Sequence, residues 1–302
     1  MIDVEKRQLR ALNREDVLDA ILKRSNRMKS ENLKTRTANE LGALLRHWRD
    51  LRGKSQFDLS LDTGVSQKQI SFVESGRSVP SRQTLGIIAQ ALDIPLRDRN
   101  TLLLAGGYAP IYSESDWDSM EMKSVTDALK RILRQQEPFP AMVMDRYWNV
   151  LMMNECAPRF FNCFIDIAAR EGPQNILHLL FDPKGMRPFV ANWEDVATSL
   201  FERVYRESVG RVVDEKTRAL VAALLAYPDV KNEWKNPVAL SFMPVIPIGF
   251  VKDGQVLNYF SMVTTVGTPQ TVAAQELRIE CMFPADDTTE IHHASMIADS
   301  RI

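Results

Sequence analysis

SQFDLSLDTGVSQKQISFVESGRSVPS, residues 55–81, decides the fold of the first third of the chain. It contains two short helical patterns that are separated only by Gly64, Val65 and Ser66. Gly64 tolerates a positive φ, and Ser66 is a suitable helix N-cap with Gln69 at the capping-box position three residues later. The tripeptide therefore ends one helix and begins the next within a single turn.

The helix predicted after this turn commits little of its surface to a core. Its apolar stripe consists of Ile70 and Val73, and its outward side carries Gln67, Lys68, Gln69, Ser71 and Phe72. A glutamine amide can bind adenine bidentately in the major groove of DNA, and a lysine can bind guanine or a phosphate. Taken singly, such residues are ordinary solvent-facing ones. Their combination with the tight turn favours a helix that reads DNA.

Apolar residues also recur at the spacing of an amphipathic helix before and after this stretch. It is carried by Leu41, Leu44, Leu45, Trp48 and Leu51 before the stretch and by Leu85, Ile88, Ala89 and Leu92 after it. With ESGR at 74–77, VPS at 79–81, DIP at 93–95 and LLLAGGYAP at 102–110, this pattern resembles the helix-turn-helix domain of phage-repressor-like, XRE-type regulators. The resemblance implies an all-α, five-helix, lambda-repressor-like DNA-binding domain over residues 39–110.

The resemblance also implies roles for individual residues. In that family the second helix begins with a glutamine that touches a DNA phosphate, here Gln56, and an arginine of the first helix pairs with the glutamate that ends the third, here Arg49 and Glu74. The expected DNA-binding residues are Gln56, Ser66, Gln67, Lys68, Gln69, Ser71, Phe72 and Arg77. Such domains bind double-stranded operator DNA as two-fold dimers, with half-sites roughly 34 Å apart, so a homodimer is expected.

Charge and composition agree with this reading and exclude other classes. Residues 1–110 hold 19 Lys and Arg against 13 Asp and Glu, whereas the remainder holds 19 against 26. No run of 18 apolar residues predicts a membrane span, and the charged N-terminus lacks the pattern of a signal peptide, so a cytoplasmic protein is expected. The three cysteines have no CxxC spacing, and no phosphate loop, GxSxG or HExxH motif occurs. We therefore expect no metal site, no catalytic residues, no enzymatic activity and no required cofactor.

The chain outside 39–110 divides into four segments. Residues 1–38 predict a helical N-terminal extension, for which DNA-backbone contact, a solvated arm and a dimer contact all remain open. The acidic segment 111–119 is typical of a linker. Residues 120–290 predict helices, two short strands at 141–154, further helices, and strands at 238–251, 254–267 and 271–284. This order indicates an α+β domain with an antiparallel sheet. Residues 291–302 are predicted to be a tail.

The second domain resembles the MmyB-like ligand-binding domain, a PAS-like fold that follows XRE-type modules. The resemblance is carried by VMDR at 143–146 with Trp148 and Asn154, by TTVGTP at 264–269, and by the segments ELR at 276–278 and FPAD at 283–286. It implies a small, largely apolar ligand, with a fatty acid as one candidate.

The candidate ligand-binding residues are mainly Met and aromatic side chains, because methionine adapts to irregular apolar shapes. They are Met142, Met144, Trp148, Phe160, Phe164, Trp193, Phe201, Phe242, Phe260 and Met262, with Arg203 as a partner for an acidic head group. Residues of these types are also ordinary core residues. The alternative is a second domain that serves only for dimerisation or protein docking, without a ligand.

Overall fold

The computed structural model describes residues 38–170, 174–209, 214–235 and 247–300. The chain divides into two compact units, Met1–Ile111 and Tyr112–Ile302. Apart from its last position, the N-terminal extension predicted over residues 1–38 lies outside the described residues. No helix within the described ranges is both long and apolar enough to cross a membrane.

Five helices occupy the described part of the first unit, residues 38–111, as the sequence predicts. Helix α1 spans residues 38–51, α2 Gln56–Thr63, α3 Gln67–Glu74, α4 Arg82–Ala91 and α5 Leu96–Ala105. Their apolar stripes meet in one core, which contains Leu41, Leu45, Trp48, Leu59, Ile70, Val73, Leu85, Ile88, Leu92 and Leu102. Residues 38–111 are therefore all-α, and their buried residues recur at the helical period seen in the sequence.

Local capping sets the bend between α2 and α3. Ser55 and Asp58 form a complete capping box at the start of α2, and Gly64 ends that helix with a φ of 70°. The Ser66 hydroxyl accepts a hydrogen bond from the Gln69 backbone N–H at 3.3 Å, which caps α3. The turn therefore has the conformation that its glycine and serine predict.

The second unit is an α+β domain. Its helices are α6 Lys123–Gln135, α7 Cys156–Asn162, α8 Ile176–Phe181, α9 Trp193–Val209, α10 Glu215–Leu225, α11 Val272–Glu276 and α12 Asp287–Asp299. Its strands are β1 Ala141–Met144, β2 Val150–Met153, β3 Ile248–Lys252, β4 Gln255–Thr265 and β5 Arg278–Pro284. They form one antiparallel sheet in the order β2-β1-β5-β4-β3.

Both faces of this sheet are covered in part by helices. On the inner face, residues such as Met142, Tyr259 and Met282 pack against α7, α8, α9 and α12 in the larger core. On the outer face, α6 and α11 cover β1 and β5 through Leu129 and Ile279, among others. Because side chains alternate along a strand, neighbouring residues of β4 and β5 belong to different faces.

Three sequence predictions differ from the structure. Residues 271–284 are not one strand, since α11 precedes β5, and the Thr271 hydroxyl caps that helix. The predicted tail lies largely within α12, where His293 and Ile297 are buried in the domain. The predicted linker joins the second unit, because the Val272 N–H donates to the Ser113 carbonyl at 2.9 Å. Much of the strand expected over 238–251 lies outside the described residues.

Candidate DNA-binding surface and ligand cavity

Helix α3 presents a polar face that the core does not use. Ile70 and Val73 are buried, whereas Gln67, Lys68 and Gln69 are exposed. Among the other expected DNA-binding residues, Ser66 and Arg77 are exposed, and Ser71 and Phe72 are half-buried. One helix of this size fits the major groove, so amide and ammonium groups on its free side can reach base edges.

Phe72 organises the positive charge at the outer edge of α3. The Nζ atom of Lys68 lies 5.6 Å from the centroid of its ring, and the Cζ atom of Arg77 lies 5.7 Å from it. The Arg77 N–H also donates to the Phe72 carbonyl at 2.8 Å. Cation–π contact restrains two flexible side chains next to each other, which favours binding to adjacent phosphates.

A charged network holds the end of α3 against α1. Arg49 Nε and Nη2 donate to the two carboxylate oxygens of Glu74 at 2.6 and 3.0 Å. Gln56 Nε2 donates to the same carboxylate at 2.9 Å. Burial raises the pKa of Glu74, but the hydrogen bonds from Arg49 and Gln56 outweigh that effect, so the pKa of this carboxyl lies below its ordinary value.

The network changes how Gln56 is understood. The family resemblance implies a phosphate contact for this side chain, whereas the structure uses one of its amide hydrogens to bind Glu74. Sequence reasoning also missed Gly42, where an added Cβ would lie 2.6 Å from the Glu74 carbonyl oxygen and 2.7 Å from that of Val73. The backbones of α1 and α3 therefore touch, and this contact sets the angle at which α3 leaves the core.

The second unit contains a cavity of about 250 Å³ between β1, β2, α7 and α8. Its lining consists of Met142, Val150, Met153, Phe161, Ile167, Ala168, Arg170, Gln174, Asn175, Ile176 and Leu179. Most of these side chains are apolar. The polar groups lie on the segment between α7 and α8, where Asn175 caps α8 by accepting from the Leu177 and His178 N–H groups.

Few of the predicted ligand-binding residues line this cavity. Met142 does, whereas four others are completely packed in the core: Met144, Trp148, Phe160 and Phe201. Phe164 and Trp193 are partly buried against that core, and Phe242 lies outside the described residues. The enclosed aromatic residues thus contact one another, as in the edge-on contact of Phe160 with Tyr259 at 5.4 Å between ring centroids.

Phe260 and Met262 require a correction, because they do not share a face with the cavity. Leu257 and Tyr259 of β4 belong to the inner core. Side chains alternate along the strand, so the even-numbered residues Phe260 and Met262 point to the outer face. Phe260 stacks there on Phe283 with 5.4 Å between centroids, and Met262 is 54% exposed. Sequence alternation placed these two residues together, but it did not show which face of the sheet encloses space.

Arg203 also lies away from the cavity lining. Its guanidinium is 5.0 Å from the Trp148 ring centroid, and its Nε donates to Glu207 at 3.3 Å. Among the lining residues that the structure describes, the charged one is Arg170, which sequence analysis did not identify. No motif surrounds Arg170, and only its place in the cavity lining indicates a role.

The chain has a helix-turn-helix unit followed by an α+β domain with an apolar cavity. This architecture is typical of a DNA-binding transcription regulator with a ligand-binding domain. Comparison with known families supports both parts. Residues 125–295 match the MmyB-like transcription regulator ligand binding domain, and residues 45–98 match a helix-turn-helix family. The chain belongs to the MmyB-like transcription regulators, and its XRE-type first domain is confirmed. No curated protein matches the chain. Both matched domains are regulatory.

Proposed function

We propose that this regulator binds a two-fold operator as a homodimer and that a fatty-acid-like molecule in its second domain controls operator affinity. The observation that carries the first half is the free polar face of α3, with Gln67, Lys68 and Gln69 exposed beside the paired cations on Phe72. A single helix of this kind reads few bases. Two copies related by a two-fold axis read two half-sites and add their phosphate contacts.

Control by a ligand follows from differential affinity. A molecule that fills the cavity stabilises whichever dimer geometry accommodates it. If that geometry changes the spacing of the two α3 helices, ligand and operator affinities become linked. The apolar lining around Met142, Phe161 and Leu179 supports an apolar ligand.

Substitutions on α3 test the DNA-binding face. An operator is first obtained by selection from random double-stranded DNA with the full-length protein. Gln67→Ala should then lose about 1–3 kcal/mol of discrimination between operator and scrambled DNA, because a bidentate base contact is removed. Arg77→Ala should weaken binding to both DNAs similarly. Equal losses on both DNAs for Gln67→Ala would contradict base reading by this helix face.

A measurement of bound mass tests the ligand. Native mass spectrometry of gently purified protein, followed by denaturing extraction, should show an apolar acid near one per chain at dimer mass. The extracted compound should then change operator affinity when it is added back to stripped protein. A stripped dimer whose operator affinity is indifferent to the compound contradicts ligand control.

The second candidate is a domain that dimerises or docks without a ligand, and one observation favours it. An apolar patch lies on the outer face of the sheet, on strands β4 and β5. Phe260 of β4 stacks there on Phe283 of β5, and Met262 of β4 is exposed. Met262→Glu tests this role, because a buried interface would not accept the charge. A Met262→Glu protein that is monomeric but still folded assigns dimerisation to the patch, whereas an unchanged dimer removes the patch from consideration.

A further inference from the structure

Helix α6 of the second unit has a buried side and a basic side. Leu129 packs against the outer face of the sheet, whereas Lys130, Arg131 and Arg134 are exposed. Directly after the helix, Gln136 Nε2 donates to the Met282 carbonyl at 2.9 Å. The helix is therefore fixed to the sheet and presents three cations on its free side.

The acidic residues next to this basic side are engaged elsewhere. Asp127 pairs with Lys123 at 3.0 Å, and Glu137 accepts hydrogen bonds from two backbone N–H groups at the start of α7. The hydrogen bond from Lys123 is the main reason that the pKa of Asp127 lies below its ordinary value, and the charges of Lys130 and Arg131 lower that pKa further from a greater distance. Within the described ranges, none of the three exposed cations forms an ion pair.

The spacing of the three cations makes them neighbours on the helix surface. Lys130 and Arg134 are four residues apart, and Arg131 and Arg134 are three apart, so like charges face each other and destabilise the isolated helix. The helix dipole offsets this repulsion for Arg134 in the last turn, but its effect falls off before Lys130 and Arg131. An anionic partner would neutralise all three charges.

The density of the positive charge favours DNA as that partner. Four residues of α-helix advance about 6 Å, so three positive charges lie within that length. Duplex DNA carries one negative charge per about 1.7 Å of its axis, which matches this density. The cations are concentrated locally, because residues 111–302 as a whole hold 19 Lys and Arg against 26 Asp and Glu.

We propose that Lys130, Arg131 and Arg134 of α6 bind phosphates of the same DNA duplex that α3 reads. The inference rests on the proposed function, since it adds a second surface to the same protein–DNA complex. Phosphate contacts carry no sequence information, so this surface raises the affinity for operator and scrambled DNA alike and leaves base reading to α3.

The salt dependence of DNA binding tests this surface in the full-length protein. The probe is the selected operator with about 20 base pairs of flanking duplex on each side, titrated by fluorescence anisotropy between about 50 and about 200 mM KCl. The slope of log affinity against log salt falls by about 0.9 for each phosphate contact that is lost. Replacement of Lys130, Arg131 and Arg134 by glutamine should therefore lower the slope by about 0.9–2.7 per chain. If all three contacts are lost, wild-type affinity should fall about 40-fold more than that of the variant over this salt range.

Two matched variants separate a phosphate contact from a change in net charge or in folding. The first replaces Lys184, Arg206 and Lys216, three exposed cations elsewhere in the second unit, by glutamine and should keep the wild-type slope. The second exchanges lysine for arginine and arginine for lysine at the three α6 positions, and it should also keep that slope because the charge is retained. A wild-type slope in the α6 glutamine variant, or an equal fall in either matched variant, overturns the inference.

Scrambled DNA of the same length and Gln67→Ala separate this inference from the proposed function. If the α6 glutamine variant keeps the wild-type slope on both DNAs while Gln67→Ala loses discrimination, operator reading stands and the inference fails. If no operator can be selected but the slope on scrambled DNA depends on α6, the phosphate-binding surface stands and the operator function fails. An unchanged slope together with loss of the dimer in the α6 glutamine variant would assign this surface to a second copy of the chain and overturn DNA binding by α6.

Discussion

Removal of Arg49 tests what holds helix α3 in place. Its side chain is 12% exposed and that of its partner Glu74 is 2% exposed, so the ion pair is largely enclosed. In Arg49→Met the carboxylate keeps the hydrogen bond from Gln56 and a more distant Arg46, whose Nε lies 3.6 Å away. Loss of one partner from a buried pair costs roughly 3–5 kcal/mol. Because Arg46 compensates in part, we expect about 3 kcal/mol less stability at pH 7.

The pH dependence of this loss has a definite sign. In the wild type the pKa of Glu74 lies below its ordinary value of 4.5, so the carboxylate contributes stability that is present above that value and is lost as the pH falls through the folded-state pKa. In Arg49→Met the hydrogen bond and charge of Arg49 no longer lower the pKa of Glu74, so we expect burial to raise this pKa. Protonation then relieves the variant on acidification, so its deficit should be smaller at pH 5 than at pH 7.

Urea unfolding of the full-length protein measures the effect, with hydrogen exchange in α2 and α3 to separate the first unit from the second. Asp50→Asn is the matched control, because it removes an exposed partner that the same guanidinium contacts at 2.7 Å, and it should cost less than about 0.5 kcal/mol. Arg49→Met with Glu74→Leu should recover part of the loss, since no unpaired charge remains buried. An Arg49→Met deficit that is equal at both pH values, or unchanged in the double variant, refutes the reasoning.

Three further predictions concern separate parts of the chain. Phe72→Leu keeps an apolar side chain but removes the ring beneath two cations. Binding to operator and to scrambled DNA should therefore weaken by about 0.5–1 kcal/mol in filter or fluorescence titrations. A loss confined to the operator would instead indicate that Phe72 contacts a base. Burial lowers the pKa of His293, so the stability that its neutral ring contributes is present above about pH 6.5 and is lost as the pH falls below that value. His293→Gln should therefore make the urea midpoint of the second unit less dependent on pH between pH 7 and 5. An unchanged pH dependence would exclude His293 as its source. Gly64→Ala should lower the free energy of unfolding by about 1 kcal/mol, because an alanine is strained at its φ of 70° but meets no neighbouring atom. Gly42→Ala should lower it more, because its Cβ would meet the Glu74 backbone. Chemical unfolding that ranks the two variants in the reverse order contradicts the close contact between α1 and α3.

The helix-turn-helix could be predicted because its determinants are local. A glycine with positive φ, an N-cap serine and an apolar stripe at positions 70 and 73 act within one or two turns of chain, and the structure contains all three. Gln56 shows where local reasoning ends. The sequence places its side chain at the start of α2, but its hydrogen bond to Glu74 depends on how α2 and α3 pack.

The second domain shows more clearly which features follow from the sequence and which depend on tertiary packing. The sequence by itself determined that helices and strands in this order form an α+β domain, and that Phe260 and Met262 share one face of β4, since strand alternation is a property of the chain. Only the tertiary structure decided that this face is the outer one and that the cavity lies near Met142 and Arg170 instead. Enclosed space is formed by elements that are distant in sequence, and its position depends on which helices cover each side of the sheet.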